Sequence, residues 1–291
     1  MTGTTPRPLE LGIATAQTEP FARTADRWRQ IEAHGFDSAW LFDHFMTTTK
    51  VPDHTYLEAW TALAGLAMVT SRVDIGILVS GNTYRHPGMV AKQAVTIDHL
   101  SNGRAMIGLG AGWHEAEHRA YGFYLPPPGE RVSRFAEALQ VIKALMTEER
   151  ASFAGRYYQL DNAPFEPKPV RPSGIPIVVG TSGPRMLGLV ARYADRWNMV
   201  GSPEQIAERG KLLLEACDKI GRDPGEIVWS AAAWPGRVGG DPLSSVEFYR
   251  DLIGRYREVG ISEVICQWQQ DLPLDAFERI AAEAATLRGA W

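Results

Sequence analysis

Short apolar runs alternate with amphipathic stretches from one end of the chain to the other. Runs rich in β-branched and aromatic residues lie at Leu9–Ala14, Ser38–Phe42, Val73–Val79, Ala105–Leu109, Ile175–Val179, Trp197–Val200, Ile227–Ala232 and Glu263–Trp268, eight candidate strands. They read as apolar runs rather than as alternating patterns, which is the signature of strands covered on both faces. Between them, Phe135, Ala138, Leu139, Ile142, Leu145 and Met146 recur at three- and four-residue steps and predict a helix over about Val132–Glu148. Val90, Ala94, Ile97 and Leu100 nearly repeat that spacing, as do Ile206, Leu213, Cys217 and Ile220. Strict alternation of strand and helix predicts parallel strands joined by crossover helices. Eight such units fit a closed barrel better than an open doubly wound sheet. The predicted fold is therefore α/β, a single (β/α)8 TIM barrel spanning residues 1–291.

One interval breaks the rhythm. The fourth strand ends near Leu109 and the fifth begins at Ile175, with one clear helix between them. Prolines 126, 127 and 128, and five more from Pro164 to Pro176, exclude regular helix from much of the remainder. Phe153–Leu160, FAGRYYQL, suggests a short hairpin. Residues at about 149–174 are predicted to form an insertion lying over one barrel end, and long excursions of this kind are often functional.

Composition narrows the function classes. Thirty Lys+Arg against 34 Asp+Glu give a net charge of −4, without the basic surplus that nucleic acid or an anionic membrane demands. The apolar run Ala62–Val69 is too short to span a bilayer. The opening MTGTTPRPLELG has no apolar signal core, so a cytoplasmic location is expected. Cys217 and Cys266 are far apart and form no CxxC, which excludes a zinc ribbon or disulfide scaffold.

In a βα barrel the chemistry sits at the C-terminal ends of the strands. The second strand ends in Asp43-His44, a carboxylate beside an imidazole and a reasonable acid/base pair. After the third strand, Ser80-Gly81-Asn82-Thr83 offer backbone N–H groups and small side chains to a flat ring. The fourth runs into GLGAGWHEAEH (108–118), whose glycines allow close approach of a ligand. It is not a dinucleotide fingerprint, because in the register of Gly108 and Gly110 the third glycine falls on Trp113. HEAEH satisfies HExxH, yet it follows directly on a strand end and has no third ligand at a recognisable spacing. A zinc hydrolase is therefore not expected. After the fifth strand, Gly180, Thr181, Ser182 and Gly183 precede a helix opening near Pro184. A glycine-rich turn at a helix N-terminus is an anion site, most naturally for phosphate, and Arg185 adds charge.

Taken in order, GFDSAWLFDHF (35–45), the stretch from Gly76 to Gly122, NAPFEPKPV (162–170), IPIVVGTSGPRML (175–187), ADRWN (194–198) and GRDP (221–224) resemble the luciferase-like monooxygenase superfamily. The likeness is greatest to its coenzyme F420 (deazaflavin)-dependent oxidoreductases. The resemblance implies a bacterial luciferase-like barrel with an insertion after strand four, assembled as a homodimer. It implies that Asp43 helps to hold the deazaflavin and that His44 is catalytic. It implies a bulge at Leu78, Val79 and Ser80, often with a non-proline cis peptide that backs the ring, and a phosphate site at Gly180–Gly183. With Asn82, Gly110, Ala111, Gly112, Trp113 and His114 these residues form the expected cofactor-binding set. The family's sugar-phosphate dehydrogenases carry Glu where Trp113 stands and Trp where Thr48 stands, so a glucose 6-phosphate substrate is not expected here. The implied activity is hydride transfer between coenzyme F420 and a small organic substrate. The alternatives are an FMN-dependent monooxygenase on the same fold and a non-catalytic deazaflavin-binding protein.

Overall fold

The apolar runs pair as parallel strands in the computed structural model, which describes residues 7–48 and 55–290. In chain order the elements begin with β1 (Glu10–Thr15), α1 (Phe21–Ala33), β2 (Ser38–Leu41), α2 (Ala59–Ala67), β3 (Asp74–Ile77), β4 (Ser80–Gly81), α3 (Pro87–Leu100) and β5 (Ala105–Gly110). Then come α4 (Glu115–Tyr121), α5 (Pro128–Thr147), β6 (Arg150–Ala154), β7 (Gln159–Pro164), β8 (Ile177–Gly180), α6 (Pro184–Tyr193) and β9 (Arg196–Val200). The chain closes with α7 (Pro203–Asp218), β10 (Val228–Ala233), α8 (Val246–Glu258), β11 (Glu263–Trp268) and α9 (Leu274–Ala290).

The sheet runs β3-β2-β1-β11-β10-β9-β8-β5 and closes where β3 pairs with β5, Ile75 opposite Ala105. The result is a closed barrel of eight parallel strands, with the two-residue β4 continuing the line of β3 along β5. Alternate residues face the interior and fill it in layers. At the N-terminal end the layer is polar: Asn198 donates to Ser230 at 2.8 Å, and Ser38 donates to Glu263 at 3.3 Å. Arg196 pairs with Glu263 at 3.4 Å and also with Glu10. Burial pushes the Glu263 carboxyl up, and Arg196 opposes that push. Above this layer Ala14, Trp40, Leu78, Met106, Val178, Ala232 and Ile265 make an apolar plug, edged by Phe42, Val79 and Trp234.

The helices pack outside through the stripes the sequence predicts. Phe135, Ala138, Leu139, Ile142, Leu145 and Met146 of α5 are all buried. In α3, Val90, Ala94 and Ile97 are buried, whereas Leu100 is exposed. Ile220 lies beyond the end of α7 and is also exposed. Among the described residues no helix is long and apolar enough to cross a membrane.

The insertion packs chiefly against α3 and α5 and touches the rim through Tyr158, whose hydroxyl accepts from Asn82. It forms the antiparallel β6–β7 hairpin, and then runs along the flank made by α3 and α5. Glu137 of α5 accepts the N–H groups of Arg156, Tyr157 and Tyr158 at 2.8–3.1 Å and holds the hairpin turn. Lys92 of α3 donates to the Glu166 carbonyl at 2.8 Å, and Val170 N–H donates to Asp98 at 2.7 Å. Arg171 then reaches Gly103 and, at 2.8 Å, Asp74 at the start of β3. The prolines keep this arm extended, and side chains of the two helices satisfy its backbone.

Candidate active site

The loop after β2 is fixed from both sides. Gln17 donates to the Phe42 carbonyl at 2.5 Å and accepts from the Phe42 N–H at 3.4 Å. The next residue, Asp43, is buried, with 4 % of its surface exposed. Arg85 donates to its two oxygens at 2.6 and 2.9 Å, Ser80 Oγ donates at 2.8 Å and Gly81 N–H at 3.0 Å. Ser80 in turn accepts from Trp60 Nε1 at 3.0 Å. A buried carboxylate is tolerated only when paired and hydrogen-bonded, and Asp43 is both. Its partners lie on the β3–α3 loop, so it joins the ends of β2 and β3.

The carboxylate on His44 is therefore not its neighbour Asp43. It is Glu117 of α4, whose Oε2 lies 2.9 Å from His44 Nδ1. Oε1 of Glu117 accepts the N–H groups of Phe45 at 2.5 Å and Met46 at 3.2 Å, and Oε2 also accepts the Tyr84 hydroxyl. Glu117 has no exposed surface. Burial works against its ionisation, but the hydrogen bonds from His44 and Tyr84, the His44 charge and the Phe45 N–H prevail and hold its pKa at about 2. Burial and the adjoining Glu117 push the Tyr84 hydroxyl upward, so it stays a donor. Its ring stacks on His118, 4.7 Å between centroids.

The depressed pKa carries a stability consequence. A carboxylate lowered from 4.5 to about 2 contributes stability that is complete above 4.5 and is lost as pH falls toward 2. Glu32, which accepts from the N–H groups of Ser71, Arg72 and Val73, is also lowered to about 2 and adds to the same window. The expected result is a Tm that falls steadily from pH 4.5 to 2, with a shallower slope in Glu117→Gln. An unchanged slope in that variant would count against the network.

Beyond β3 the chain bulges at Leu78–Val79, whose peptide bond is cis. Val79 fills space that glycines leave open. A Cβ on Gly110 would come within 2.8 Å of its side chain, and one on Gly180 within 2.9 Å. A Cβ on Gly108 would collide with the Ile77 carbonyl oxygen. Gly108, Gly110 and Gly180 thus make room for the bulge itself, where the sequence suggests close approach of a ligand. Asn82 donates its N–H to the Gly110 carbonyl at 2.9 Å, and its side-chain amide to the Tyr158 hydroxyl at 3.3 Å. Gly112, at φ +92°, follows Ala111 and offers its carbonyl to Arg131 at 2.7 Å. Trp113 is 61 % exposed, its ring 5.8 Å from that of His44 and 4.8 Å from that of His114.

The turn after β8 is anchored from behind. Thr181 N–H donates to the Asn198 carbonyl at 3.0 Å, and Trp197 Nε1 donates to the Thr181 carbonyl at 2.8 Å. Gly183 caps α6, its N–H donating to Thr181 Oγ1 at 3.2 Å, and a Cβ there would meet nothing within 4 Å. Ser182 is exposed beside it. Arg185 turns toward α5 and donates to the Gly129 carbonyl and Ser133 Oγ, both at 3.3 Å. This turn shares a rim with His44, along the line Gly180–Val79–Ser80–Asp43–His44.

HEAEH does not make a zinc-protease centre. His118 is buried, its Nδ1 at 2.8 Å from the His114 carbonyl and its Nε2 at 2.7 Å from Thr83 Oγ1, while Glu115 is exposed. Both cysteines are buried and free, and burial pushes the Cys266 thiol up, away from nucleophilic use. Sequence reasoning passed over Glu117, Tyr84 and Arg85. Each stood inside a stretch of interest, but neither spacing nor type marked which polar residue would turn inward.

A closed parallel barrel with an imidazole–carboxylate pair, a strand-three bulge and an open helix-capping turn on one rim defines a class of βα-barrel enzyme. The luciferase-like monooxygenase family model matches residues 5–234, and the chain belongs to that family of oxidoreductases. An F420-dependent glucose-6-phosphate dehydrogenase of Kineococcus radiotolerans is 38 % identical over 233 residues, 78 % of this chain and 68 % of that protein. An uncharacterised protein of Mycobacterium tuberculosis is 31 % identical over 278 residues, 88 % of this chain and 92 % of that one. Among solved structures, an F420-dependent secondary alcohol dehydrogenase in complex with an F420-acetone adduct superposes with a TM-score of 0.84. It is 18 % identical and covers 97 % of this chain and 99 % of that chain, a likeness of fold.

Proposed function

We propose that this protein is a coenzyme F420-dependent oxidoreductase that transfers a hydride between the deazaflavin and a small organic substrate. The observation that carries the reading is the shared rim: the Leu78–Ser80 bulge, backed by Gly110 and Gly180, lies between the open turn at Thr181–Gly183 and the imidazole of His44. The F420-dependent relative at 38 % identity supports the choice of cofactor.

The residues present fit such a group. The Gly180–Gly183 turn, open at Gly183 and leading into α6, would hold a phosphate. Leu78, Val79 and Ser80 would support the ring, and Asp43 keeps that support in place through Ser80 and Gly81. Asn82, Gly110, Ala111, Gly112, Trp113 and His114 would complete the walls. Bound F420 supplies two-electron hydride chemistry, while the protein contributes position and electrostatics. Glu117 occupies Nδ1 of His44 and so leaves Nε2 to donate or accept the proton that accompanies the hydride. By the family resemblance, Trp113 and Thr48 stand where the sugar-phosphate dehydrogenases carry Glu and Trp, which speaks against glucose 6-phosphate as the substrate.

Titration of the purified protein with F420 and with FMN tests the cofactor. F420 is expected to bind in the micromolar range or tighter, and more weakly in Gly183→Val, which fills the turn. Binding of FMN alone would replace the reading with that of an FMN-dependent monooxygenase. F420 binding without turnover on a broad panel of alcohols, ketones and enones would leave a carrier.

A further inference from the structure

Three ligand atoms converge beside the rim in an arrangement that the hydride-transfer reading does not use. A ring nitrogen of His44, a ring nitrogen of His114 and one Glu117 oxygen lie within 4.8 Å of one another. Two are hydrogen-bonded across 2.9 Å, but the third is not satisfied. His114 Nδ1 is buried, has no hydrogen-bond partner, and stands 3.5 Å from Glu117 Oε2, within ion-pair range only. An unpaired buried nitrogen 3.5 Å from a fully buried carboxylate is a costly arrangement for which a cation would compensate.

We propose that His44, His114 and Glu117 form a binding site for a divalent transition metal of the zinc type, and that the metal inhibits the enzyme by taking the catalytic imidazole. Two neutral imidazoles and one carboxylate are a common ligand set for zinc, with an open fourth position. Tetrahedral ligands at about 2.0–2.1 Å from the ion are roughly 3.3 Å apart. His114 Nδ1 already stands 3.5 Å from Glu117 Oε2, His44 Nδ1 would open from 2.9 Å, and the two imidazole nitrogens, within 4.8 Å of each other, would draw together by rotation of the rings. The outer shell is in place: Tyr84 holds Oε2, and the Phe45 and Met46 N–H groups hold Oε1. Coordination at Nδ1 moves the proton of the neutral His44 ring to Nε2, which can then donate but no longer accept, and so blocks the proton exchange assigned to that nitrogen. This is not the HExxH geometry, because His118 spends both nitrogens elsewhere. Only the inhibition rests on the proposed function; the metal site stands on the apoprotein.

The test is calorimetric titration of cofactor-free protein with Zn²⁺. One ion per chain is expected at micromolar affinity. His114→Ala and Glu117→Gln should each weaken binding by at least about tenfold, and Tyr84→Phe, a mild change in the outer shell, by roughly tenfold. With F420 bound, Zn²⁺ should abolish turnover, and EDTA should restore it. Absence of saturable binding in the wild type, or wild-type affinity in a His114→Ala variant whose folding is confirmed by circular dichroism, overturns the site. Zinc binding with undiminished turnover overturns the inhibition. Failure to bind F420 bears on the proposed function alone.

Discussion

Replacing His44 with alanine is expected to lower turnover by about 10²–10⁴-fold, the range that a positioned general acid or base contributes. F420 affinity should change by no more than a few-fold, because the bulge and the phosphate turn do not depend on the ring. Glu117 keeps three donors in the variant, from Tyr84, Phe45 and Met46, so its buried charge stays compensated and the fold should survive. The distinction from a structural role is kinetic. Loss of proton exchange lowers kcat, whereas loss of substrate packing raises KM. Single-turnover absorbance of the deazaflavin under saturating substrate separates the two. A kcat within threefold of wild type would remove His44 from the mechanism and shift attention to His114, whose ring lies 5.6 Å away.

The barrel was legible because its strands are buried on both faces, and such burial writes continuous apolar runs into the chain. Ile227–Ala232 and Glu263–Trp268 were recognisable within a residue or so of β10 and β11 for that reason. Glu263 is the instructive exception: a charge at the start of a strand reads as an exposed end, yet it sits fully buried against Arg196 in the polar base of the barrel. The rim was legible only in part. The Gly180–Gly183 turn shows itself because glycines before a proline-capped helix have a local meaning. Glu117 does not. Its helix, α4, is seven residues long, too short for a hydrophobic period, and its burial comes from the β2–α2 and β3–α3 loops packed over it. The cis bond at Leu78–Val79 was expected from family resemblance and from nothing in the local residues. Gly108, Gly110 and Gly180 invited a ligand reading because a glycine records only that something is close, not whether that something is a cofactor or Val79.

Arg85→Met is expected to be the most destabilising single change at the rim. Asp43 would keep Ser80 and the Gly81 N–H but lose both guanidinium contacts, leaving a buried charge underpaired. Removing one partner of a buried pair costs ~3–5 kcal/mol, which corresponds to a fall in Tm of roughly 5–15 °C. Arg85 also meets Glu58, at 2.5 Å, but that side chain is about one-third exposed, so Glu58→Gln should move Tm by no more than a degree or two. The two variants together assign the effect to the Asp43 contact rather than to the Glu58 contact. Adding Asp43→Asn to Arg85→Met removes the stranded charge and should recover part of the lost Tm, since deleting both partners is less damaging than deleting one. Cofactor affinity should not recover with it. The ion pair is what joins the end of β2 to Ser80, next to Val79, and the double variant restores neutrality without restoring that joint. Stability regained with F420 binding still weakened would mean that Asp43 and Arg85 hold the floor of the site in place. Recovery of both would reduce the pair to a matter of buried charge alone.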